Sequence, residues 1–439
     1  MKKLVYLFAL MLFAASCEDE GEVYYENPVT ASNIKLIRLR ADHQTVLGNG
    51  KACMKFYADA YNILELPDYT PSYDGDSAIY NPSIKRDTSL IPRDLLPDGL
   101  FKLYDETGKE YPDFTFSTTD PTQRNIRFHL EVGELSSEEV EIKVRPLPEK
   151  EYEPIVIPVI FHVMNFSKNP SIPAIDITEK VIQKNIDRLN SVFSGNASTD
   201  PNGGDSKITF RLAEYDNIGI KLDVPGIHVY EIPSDLNFEK DEDYSQFVMD
   251  ERSELLYDYR RFLNIWLINN PTGNSYSSKA PTVIDDEKNP IPGLEAKEIT
   301  AAFPEKPEEV GIFINMSNFL NPYQFMDYFE ISTTLGRYFG LLSTQVSELG
   351  GITNMVNGDT DYCEDTPYYW GEISSVFKNN GKGDQKEGVM YFTSYNIMDR
   401  YSYKNSISCD QIDRIRQHLD RCPSRWMYKS DFAFTGTEK

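Results

Sequence analysis

Histidine is scarce in this chain of 439 residues, which contains five. They are His43, His129, His162, His228 and His418. None therefore lies between residues 229 and 417. Basic residues are also outnumbered, because 44 lysines and arginines stand against 69 aspartates and glutamates and give a formal net charge of −25. A chain this acidic repels phosphate backbones, which excludes nucleic acid as an expected partner.

The sequence has one long apolar run, at its start, and lacks a second. Met1-Lys2-Lys3 precedes apolar residues 4–15, a run that is too short for a mature membrane span and typical of an export signal. Small residues then precede a cysteine in Ala14-Ala15-Ser16-Cys17, which is the pattern that a lipoprotein signal peptidase requires. We expect residues 1–16 to be removed, Cys17 to carry lipid, and residues 17–30 to act as a tether. The expected location is the bacterial outer membrane, and the acidic Glu18-Asp19-Glu20 suits either a surface-export tag or a solvated tether.

Cysteine is limited to five residues, of which four remain once Cys17 is lipidated. In an oxidising compartment these four are disulfide candidates. Cys363, Cys409 and Cys422 lie close together near the C-terminus, whereas Cys53 is remote and is expected to be a small core residue. The sequence predicts a disulfide between Cys363 and either Cys409 or Cys422, and it does not choose between them.

The chain divides into two predicted domains. Over residues 31–145, short alternating apolar stretches are separated by Pro, Gly and Asp clusters, which is typical of an all-β, immunoglobulin-like sandwich. Residues 146–154 combine prolines with charged residues and are predicted to be a linker. Over residues 155–425, apolar runs of strand length alternate with helical periodicity, which indicates an α/β domain. Residues 426–439 are predicted to be a tail.

One helix of the second domain carries the main chemical clue. Residues 333–343 read Thr-Thr-Leu-Gly-Arg-Tyr-Phe-Gly-Leu-Leu-Ser. Their spacing matches the metzincin motif His-Glu-x-x-His-x-x-Gly-x-x-His, in which three histidines bind zinc and the glutamate activates a zinc-bound water. Here Thr333, Arg337 and Ser343 occupy the three ligand positions, and Thr334 occupies the general-base position.

Further segments follow in a specific order. Residues 361–367 contain Asp-Thr-Pro, residues 395–401 contain Met398, and a closing helix begins at Ser408. Together with the opening strand at residues 155–163, these features resemble the pappalysin-like (metzincin) zinc metallopeptidase lipoproteins of Bacteroidetes. The resemblance covers about residues 155–423. It implies a metzincin-like α+β peptidase fold with Met398 in the Met-turn beneath the metal position.

The resemblance also implies a degenerate zinc site. Arginine stays protonated and presents only hydrogen-bond donors, so Arg337 opposes a cation. His162 is expected to be a packed strand histidine, and the cysteines lack a paired metal-binding spacing. No cofactor is therefore expected, and zinc would be required only if this interpretation is wrong. Asp359 and Asp361 offer the oxygens that calcium prefers, although an acidic turn is the simpler explanation.

The sequence favours a lipid-anchored pseudopeptidase that binds peptide or protein ligands at the cell envelope and does not cleave them. One alternative is an active zinc metalloendopeptidase with non-standard ligands. Another is a glycan hydrolase with paired carboxylates, for which no pair is recognisable. A third is a surface adhesin or nutrient-uptake accessory protein in which Tyr368, Tyr369 and Trp370 contact the ligand.

Overall fold

The structure is a computed structural model, and it describes residues 29–68, 72–74, 77–79, 83–168, 175–236, 238–269, 275–277, 282–298, 310–320, 330–344, 361–367, 394–399 and 402–438. Cys17, Asp359 and residues 368–370 lie outside this part of the chain. No helix in the described part is long and apolar enough to cross a membrane.

The first part of the chain is built from strands, with short 3-10 helices at Ala31–Asn33 and Arg93–Leu95. The strands are β1 (Leu36–Ala41), β2 (Thr45–Leu47), β3 (Met54–Asp68), β4 (Ser72–Asp74), β5 (Ser77–Ile79), β6 (Ser83–Leu90), β7 (Lys102–Asp105), β8 (Thr115–Phe116), β9 (Arg124–Val132), β10 (Leu135–Ser136) and β11 (Val140–Arg145). One sheet has the order β1-β3-β6, with β8 also on β3. A second has the order β10-β9-β11-β2, with β7 also on β9, and β4 pairs with β5.

Residues from both of these sheets share one hydrophobic cluster. Alternation along β9 explains how the cluster forms, because Phe128, Leu130 and Val132 are buried while the residues between them are only partly covered. Phe128 packs on Phe56 of β3 with a ring separation of 4.6 Å. The strand periodicity of the sequence therefore gives this part of the chain a core of its own.

The second part of the chain mixes strands and helices. Its strands are β12 (Ile155–Asn165), β13 (Ile208–Leu212), β14 (Ile227–Glu231), β15 (Leu263–Ile268), β16 (Tyr276–Ser277), β17 (Val283–Ile284), β18 (Ala296–Lys297) and β19 (Gly311–Asn315). Its helices are α1 (Glu179–Phe193), α2 (Asp241–Asp250), α3 (Arg252–Leu255), α4 (Met316–Phe319), α5 (Glu330–Tyr338), α6 (Cys409–Arg421) and α7 (Phe432–Thr435). A 3-10 helix, Pro423–Lys429, lies between α6 and α7.

The main sheet of this part has the order β13-β12-β15-β19-β16. β13 pairs with the first half of β12, and β14 pairs with the second half on the same side. These pairings are parallel, as are those of β12 with β15 and of β15 with β19, whereas β16 is antiparallel to β19. Continuous apolar strands such as β15 and β19 are buried on both faces, as parallel strands usually are. The predicted mixed α/β architecture is confirmed.

Helix α1 covers one face of this sheet. Its predicted stripe is buried and consists of Ile182, Ile186, Leu189 and Phe193. The side chain of Thr178 accepts a hydrogen bond from the Val181 N–H and so starts the helix. Helix α5 also packs on this sheet, against β19 and β16. The helix that carries the motif therefore lies at the β16 side of the sheet.

The C-terminal residues pack onto the second part of the chain. The segment that the sequence marked as a tail contains the end of the 3-10 helix and α7, and Met427 and Phe432 are buried in it. The 3-10 helix contacts β12, and Phe432 joins a small apolar cluster with Ile160 of that strand. These residues therefore complete the packing against β12.

The predicted disulfide is not formed, because Cys53, Cys363, Cys409 and Cys422 are all free thiols. Cys409 and Cys422 stand at opposite ends of α6. A helix of this length separates its ends by about 20 Å, so Cys363 cannot lie within disulfide reach of both of its candidate partners. Cys422 instead packs with Val283 and Ile291. The buried Cys363 thiol donates to the carbonyl oxygen of Asp361 at 3.5 Å.

Candidate functional site

Helix α5 ends in a left-handed glycine, as the motif requires. Gly340 has φ +86°. Its N–H donates to the Arg337 carbonyl at 2.9 Å, and the Leu341 N–H donates to the Gly336 carbonyl at 2.9 Å. This pair of bonds is a Schellman cap, which satisfies carbonyls that the end of a helix leaves open. The chain therefore turns sharply between the second and third ligand positions of the motif.

The residues at the ligand positions do not form a metal site. The hydroxyl of Thr333 donates to the carbonyl oxygen of Ile397 at 2.7 Å. Arg337 and Ser343 are exposed, and Thr334, at the base position, is buried. A guanidinium has no lone pair to offer, and threonine and serine hydroxyls are poor zinc ligands compared with imidazole or thiolate. These residues do not fit a zinc ion.

Across the described part of the chain, no group of three or more His, Cys, Asp or Glu side chains is arranged to hold a metal ion. Asp361 uses one carboxylate oxygen to accept from the Cys363 N–H at 3.0 Å and the other to accept from the Thr366 hydroxyl at 3.0 Å. Asp361 therefore closes a turn, and Asp359, its partner in the predicted calcium site, lies outside the described residues.

Met398 lies directly against the motif helix. A Cβ atom on Gly336 would meet the Met398 sulfur at 2.6 Å and Ile397 Cδ1 at 3.2 Å. Only glycine allows so close an approach between the helix and this turn. The turn is held by the Asn396 side chain, which accepts from the Met398 N–H at 2.8 Å. Asn396 and Gln411 of α6 also pair through their amides at 2.8 and 3.1 Å.

A buried lysine lies beneath the same turn. Lys404 is 5% exposed, and its ammonium donates to the Ile397 carbonyl at 3.2 Å and to the Asp399 carbonyl. Thr333 bonds the same Ile397 oxygen, so an ammonium group is a neighbour of the first ligand position. A positive charge next to this position repels a divalent cation. Local sequence does not distinguish this lysine from an exposed one, because it lies in a turn and outside the motif.

Two arginines hold the C-terminal end of α5. Arg414 donates through Nε to the Gly340 carbonyl at 2.7 Å, and Arg425 donates through Nε to the Tyr338 carbonyl at 2.9 Å. The Arg425 guanidinium also stacks over the Tyr338 ring at 3.3 Å from the centroid. Cations at this end of a helix are favourable because the carbonyl ends of the peptide dipoles meet there. Both arginines are buried and fix the position of the motif turn.

Two of the histidines are fully buried. His162 is fully buried on β12, where Nε2 bonds to Asn264 Oδ1 at 2.9 Å, so its predicted packed role is confirmed. Burial, together with the neighbouring His228, lowers the pKa of His162 to about 3. His418 of α6 lies behind Gly340, where burial and then the charge of Arg425 hold the pKa of its imidazole well below the usual range.

The Asp-Thr-Pro segment fastens the start of α6. Asp365 accepts from the Ser408 hydroxyl at 2.5 Å and from the Asp410 N–H at 3.0 Å. Burial and the nearby Asp410 raise the pKa of Asp365. Arg145 of β11 bonds to Asp410 and to Glu364, the latter at 3.0 Å. This segment therefore joins the strand-rich first part of the chain to the last helix of the motif region.

A cavity of about 260 Å³ lies at the same junction. Its lining includes Asp42, His43 and Cys53 from the first part and Asn202 and Asp365 from the second. His43 Nδ1 bonds to Asp42 at 2.8 Å, and the Asn202 amide donates to the Cys53 carbonyl at 3.0 Å. Burial lowers the pKa of His43, but Asp42, together with the charges of Asp200 and Asp365, acts in the opposite direction and the net shift is upward.

Comparisons with known proteins give structural likeness alone. No family model matches the chain, and no curated protein matches its sequence. Mature mirolysin from Tannerella forsythia in complex with a cleaved peptide is similar, with 22% identity, a TM-score of 0.47, and coverage of 66% of this chain and all of that one. Mirolysin in complex with a small compound gives 20% identity and a TM-score of 0.45 with the same coverage. A variant of promirolysin gives 19% and 0.43, over 65% of this chain and 87% of that one.

Proposed function

We propose that this protein is a metzincin-like pseudopeptidase that binds peptides in the cleft beside α5 and does not cleave them. The observation that carries the proposal is the hydrogen bond from Thr333 to the Ile397 carbonyl. It commits the first ligand position to holding the Met398 turn. A side chain engaged in this way is structural. The exposed Arg337 adds a positive charge, which repels a zinc ion.

The edge of the main sheet offers a place for a peptide. Among the strands that the structure describes, β16 is the outermost on this side of the sheet, antiparallel to β19 and next to α5. Tyr276 of β16 stacks on Phe313 with a ring separation of 4.5 Å, which fixes the strand in place. An extended peptide can add to such an edge through main-chain hydrogen bonds. Peptide binding thus requires the shape of the cleft and does not require the zinc chemistry.

The proposal includes the wider organisation of the chain. The two sheets of residues 36–145 share a single core, which supports a sandwich that precedes the peptidase-like domain. Lipid attachment at Cys17 would place both domains at the outer membrane, as the residues around the predicted cleavage position suggest. Membrane fractionation of the native protein and of a Cys17→Ser variant tests this anchor directly. The variant should leave the membrane fraction.

Zinc content tests the loss of the metal site. The chain without residues 1–17 is purified in zinc-containing buffer beside a restored variant, Thr333→His, Thr334→Glu, Arg337→His and Ser343→His. We expect no bound zinc in the parent and about one equivalent in the variant. A matched control carries only Thr334→Glu, which restores the base and no ligand, and should stay free of zinc. Stoichiometric zinc in the parent would show that the protein is a metallopeptidase with other ligands.

Peptide binding is measured separately on the parent protein. A pool of short unstructured peptides is passed over the immobilised protein, and any that is retained is incubated with it and then analysed by mass spectrometry. The proposal expects retained peptides that stay intact. Cleavage products, or no retention of any peptide by the folded protein, would contradict it.

A further inference from the structure

In the part of the chain that the structure describes, β14 lies at the opposite edge of the main sheet. Strand β14 pairs in parallel with β12, where the Phe161 N–H donates to the Gly226 carbonyl at 2.8 Å and the Ile232 N–H donates to the Asn165 carbonyl at 2.9 Å. Backbone groups alternate in direction along a parallel strand, so those of Val229 point away from β12. Val229 is 54% exposed. Within the described residues, β14 pairs with β12 alone.

A hydrogen-bonded hairpin immediately precedes β14 in the chain. Residues 213–226 fold back on themselves, with the Gly226 N–H donating to the Ala213 carbonyl at 2.7 Å and the Leu222 N–H donating to the Glu214 carbonyl at 2.9 Å. Tyr215 and Lys221 form an antiparallel bridge above this pair. The hairpin therefore leads directly into the first residue of β14.

The tip of this hairpin presents two isoleucines to solvent. Ile218 and Ile220 are 76% and 60% exposed. The Asp216 carboxylate accepts from both of their N–H groups, at 3.0 and 2.8 Å, and Gly219 between them has φ +85°. The tip is thus held by its own hydrogen bonds.

The surroundings of this edge are acidic. Glu231 lies on β14 itself and is paired at 3.8 Å with Lys168, which is mostly exposed. Burial lowers the pKa of His228 on the same strand, while the carboxylates of Glu254 and Asp216 act in the opposite direction, which places both of them near the strand. A partner that lies along β14 therefore meets mainly negative charge.

We propose that the β14 edge, together with the hairpin tip, binds an extended basic segment of a partner protein as an added strand. Main-chain bonds to Val229 and Glu231 would supply affinity, and alternate apolar side chains of the partner would contact Ile218 and Ile220. The acidic surroundings select a basic segment. They disfavour a second copy of this chain, which carries a formal net charge of −25. This edge lies across the sheet from β16, so the inference does not depend on the proposed pseudopeptidase cleft.

The test uses the full chain and a synthetic peptide of about nine residues in which lysine alternates with valine and threonine. A peptide with glutamate in place of each lysine is the control. We expect the lysine peptide to bind saturably and less tightly at higher salt, and to slow amide hydrogen exchange at Val229 and Glu231. The glutamate peptide should not bind.

Variants locate the site. Val229→Pro removes an outward N–H and no bond to β12, so the fold is kept while affinity falls by about tenfold or more. Ile218→Ser with Ile220→Ser should also weaken binding, whereas Ile63→Ser, which changes an isoleucine 42% exposed on β3, should not. Equal binding of both peptides, no binding, or no exchange protection at β14 would overturn the proposal. So would a parent dimer that Val229→Pro dissociates, because a second copy would then occupy the edge.

Discussion

The hydroxyl of Thr333 donates to the carbonyl oxygen of Ile397 across 2.7 Å, and 64 residues of sequence separate the two. The same oxygen accepts from the buried ammonium of Lys404. A position that would hold a zinc ligand in the resembled motif is therefore part of a polar contact between a helix and a turn. This contact joins the helix to the turn without a metal ion.

Removing the Thr333 hydroxyl should destabilise the protein. Thr333→Val keeps the size of the side chain and deletes the donor, so we expect the free energy of unfolding to fall by about 1 kcal/mol. Thr333→Ser keeps the donor and should retain the bond. Urea denaturation followed by circular dichroism measures both variants. Equal stability of Thr333→Val and the parent would mean that the Lys404 ammonium alone satisfies the Ile397 oxygen.

The close contact between Gly336 and Met398 predicts opposite effects of Gly336→Ala on stability in the parent and in a Met398→Ala variant. In a helix, alanine is favoured over glycine by about 1 kcal/mol. In the parent, however, the new Cβ would lie 2.6 Å from the Met398 sulfur, and such overpacking costs about 1–3 kcal/mol. Gly336→Ala should therefore destabilise the parent and stabilise a Met398→Ala background. A double-mutant cycle by urea denaturation measures the coupling, and additive effects would contradict the contact.

Local pattern was enough to predict much of the motif helix. The helical periodicity of this segment agrees with the buried Leu335 and Tyr338, and Gly340, at the glycine position of the motif, makes the turn. The buried stripe of α1 followed from the same kind of reasoning. In these cases the information lies within a few residues of the feature that it determines, because helical periodicity and glycine conformation are local properties.

The polar support of the site could not be predicted in this way. Arg414 and Arg425 reach the end of α5 from positions 74 and 87 residues away in sequence, and nothing in their own neighbourhood distinguishes them from solvated arginines. Lys404 is similar, since a lysine in a turn is usually exposed. The disulfide prediction was wrong for a related reason. Closeness in sequence made Cys409 and Cys422 candidate partners of Cys363, whereas all three thiols are free and α6 holds the two candidates at its opposite ends.

The buried carboxyl of Asp59 predicts a pH dependence. Burial raises the pKa of Asp59 from 3.8 to about 6, while Arg40 acts in the opposite direction. Between about pH 4 and pH 6 the folded protein keeps a proton that the unfolded chain has released, so this group lowers stability as pH rises. The loss amounts to about 2 kcal/mol.

Comparison with variants isolates the contribution of Asp59 to this pH dependence. Asp59→Asn cannot ionise, so the difference in unfolding free energy between parent and variant should move in favour of the variant as pH rises through this range. Asp120→Asn is the control, because hydrogen bonds to Thr122 lower the pKa of Asp120 and place its own pH dependence, of opposite sign, mainly below about pH 4. The difference between this variant and the parent should therefore change little across the range. Urea titrations from about pH 4 to pH 7 provide the measurement. A pH-independent difference for Asp59→Asn would show that this carboxyl is already ionised throughout.

The junction between the two parts of the chain depends on Arg145 more than on its neighbour Lys143. Arg145 is mostly buried and bonds to both Glu364 and Asp410, whereas Lys143 is one-third exposed and bonds to Glu364 alone. Arg145→Ala would leave Asp410 without this partner at the start of α6, and we expect a loss of about 2–3 kcal/mol. Lys143→Ala should change stability by less than about 1 kcal/mol, as exposed ion pairs do.

The same pair of variants also tests whether the two parts unfold together. With the Arg145 contacts removed, differential scanning calorimetry should resolve two transitions where the parent and Lys143→Ala show one, because each part has its own hydrophobic core. Limited proteolysis should then cut Arg145→Ala between residues 146 and 154 sooner than the control. If both variants melt in a single transition at the parent temperature, the junction is held by other contacts, among them the amide of Asn202 on the Cys53 carbonyl.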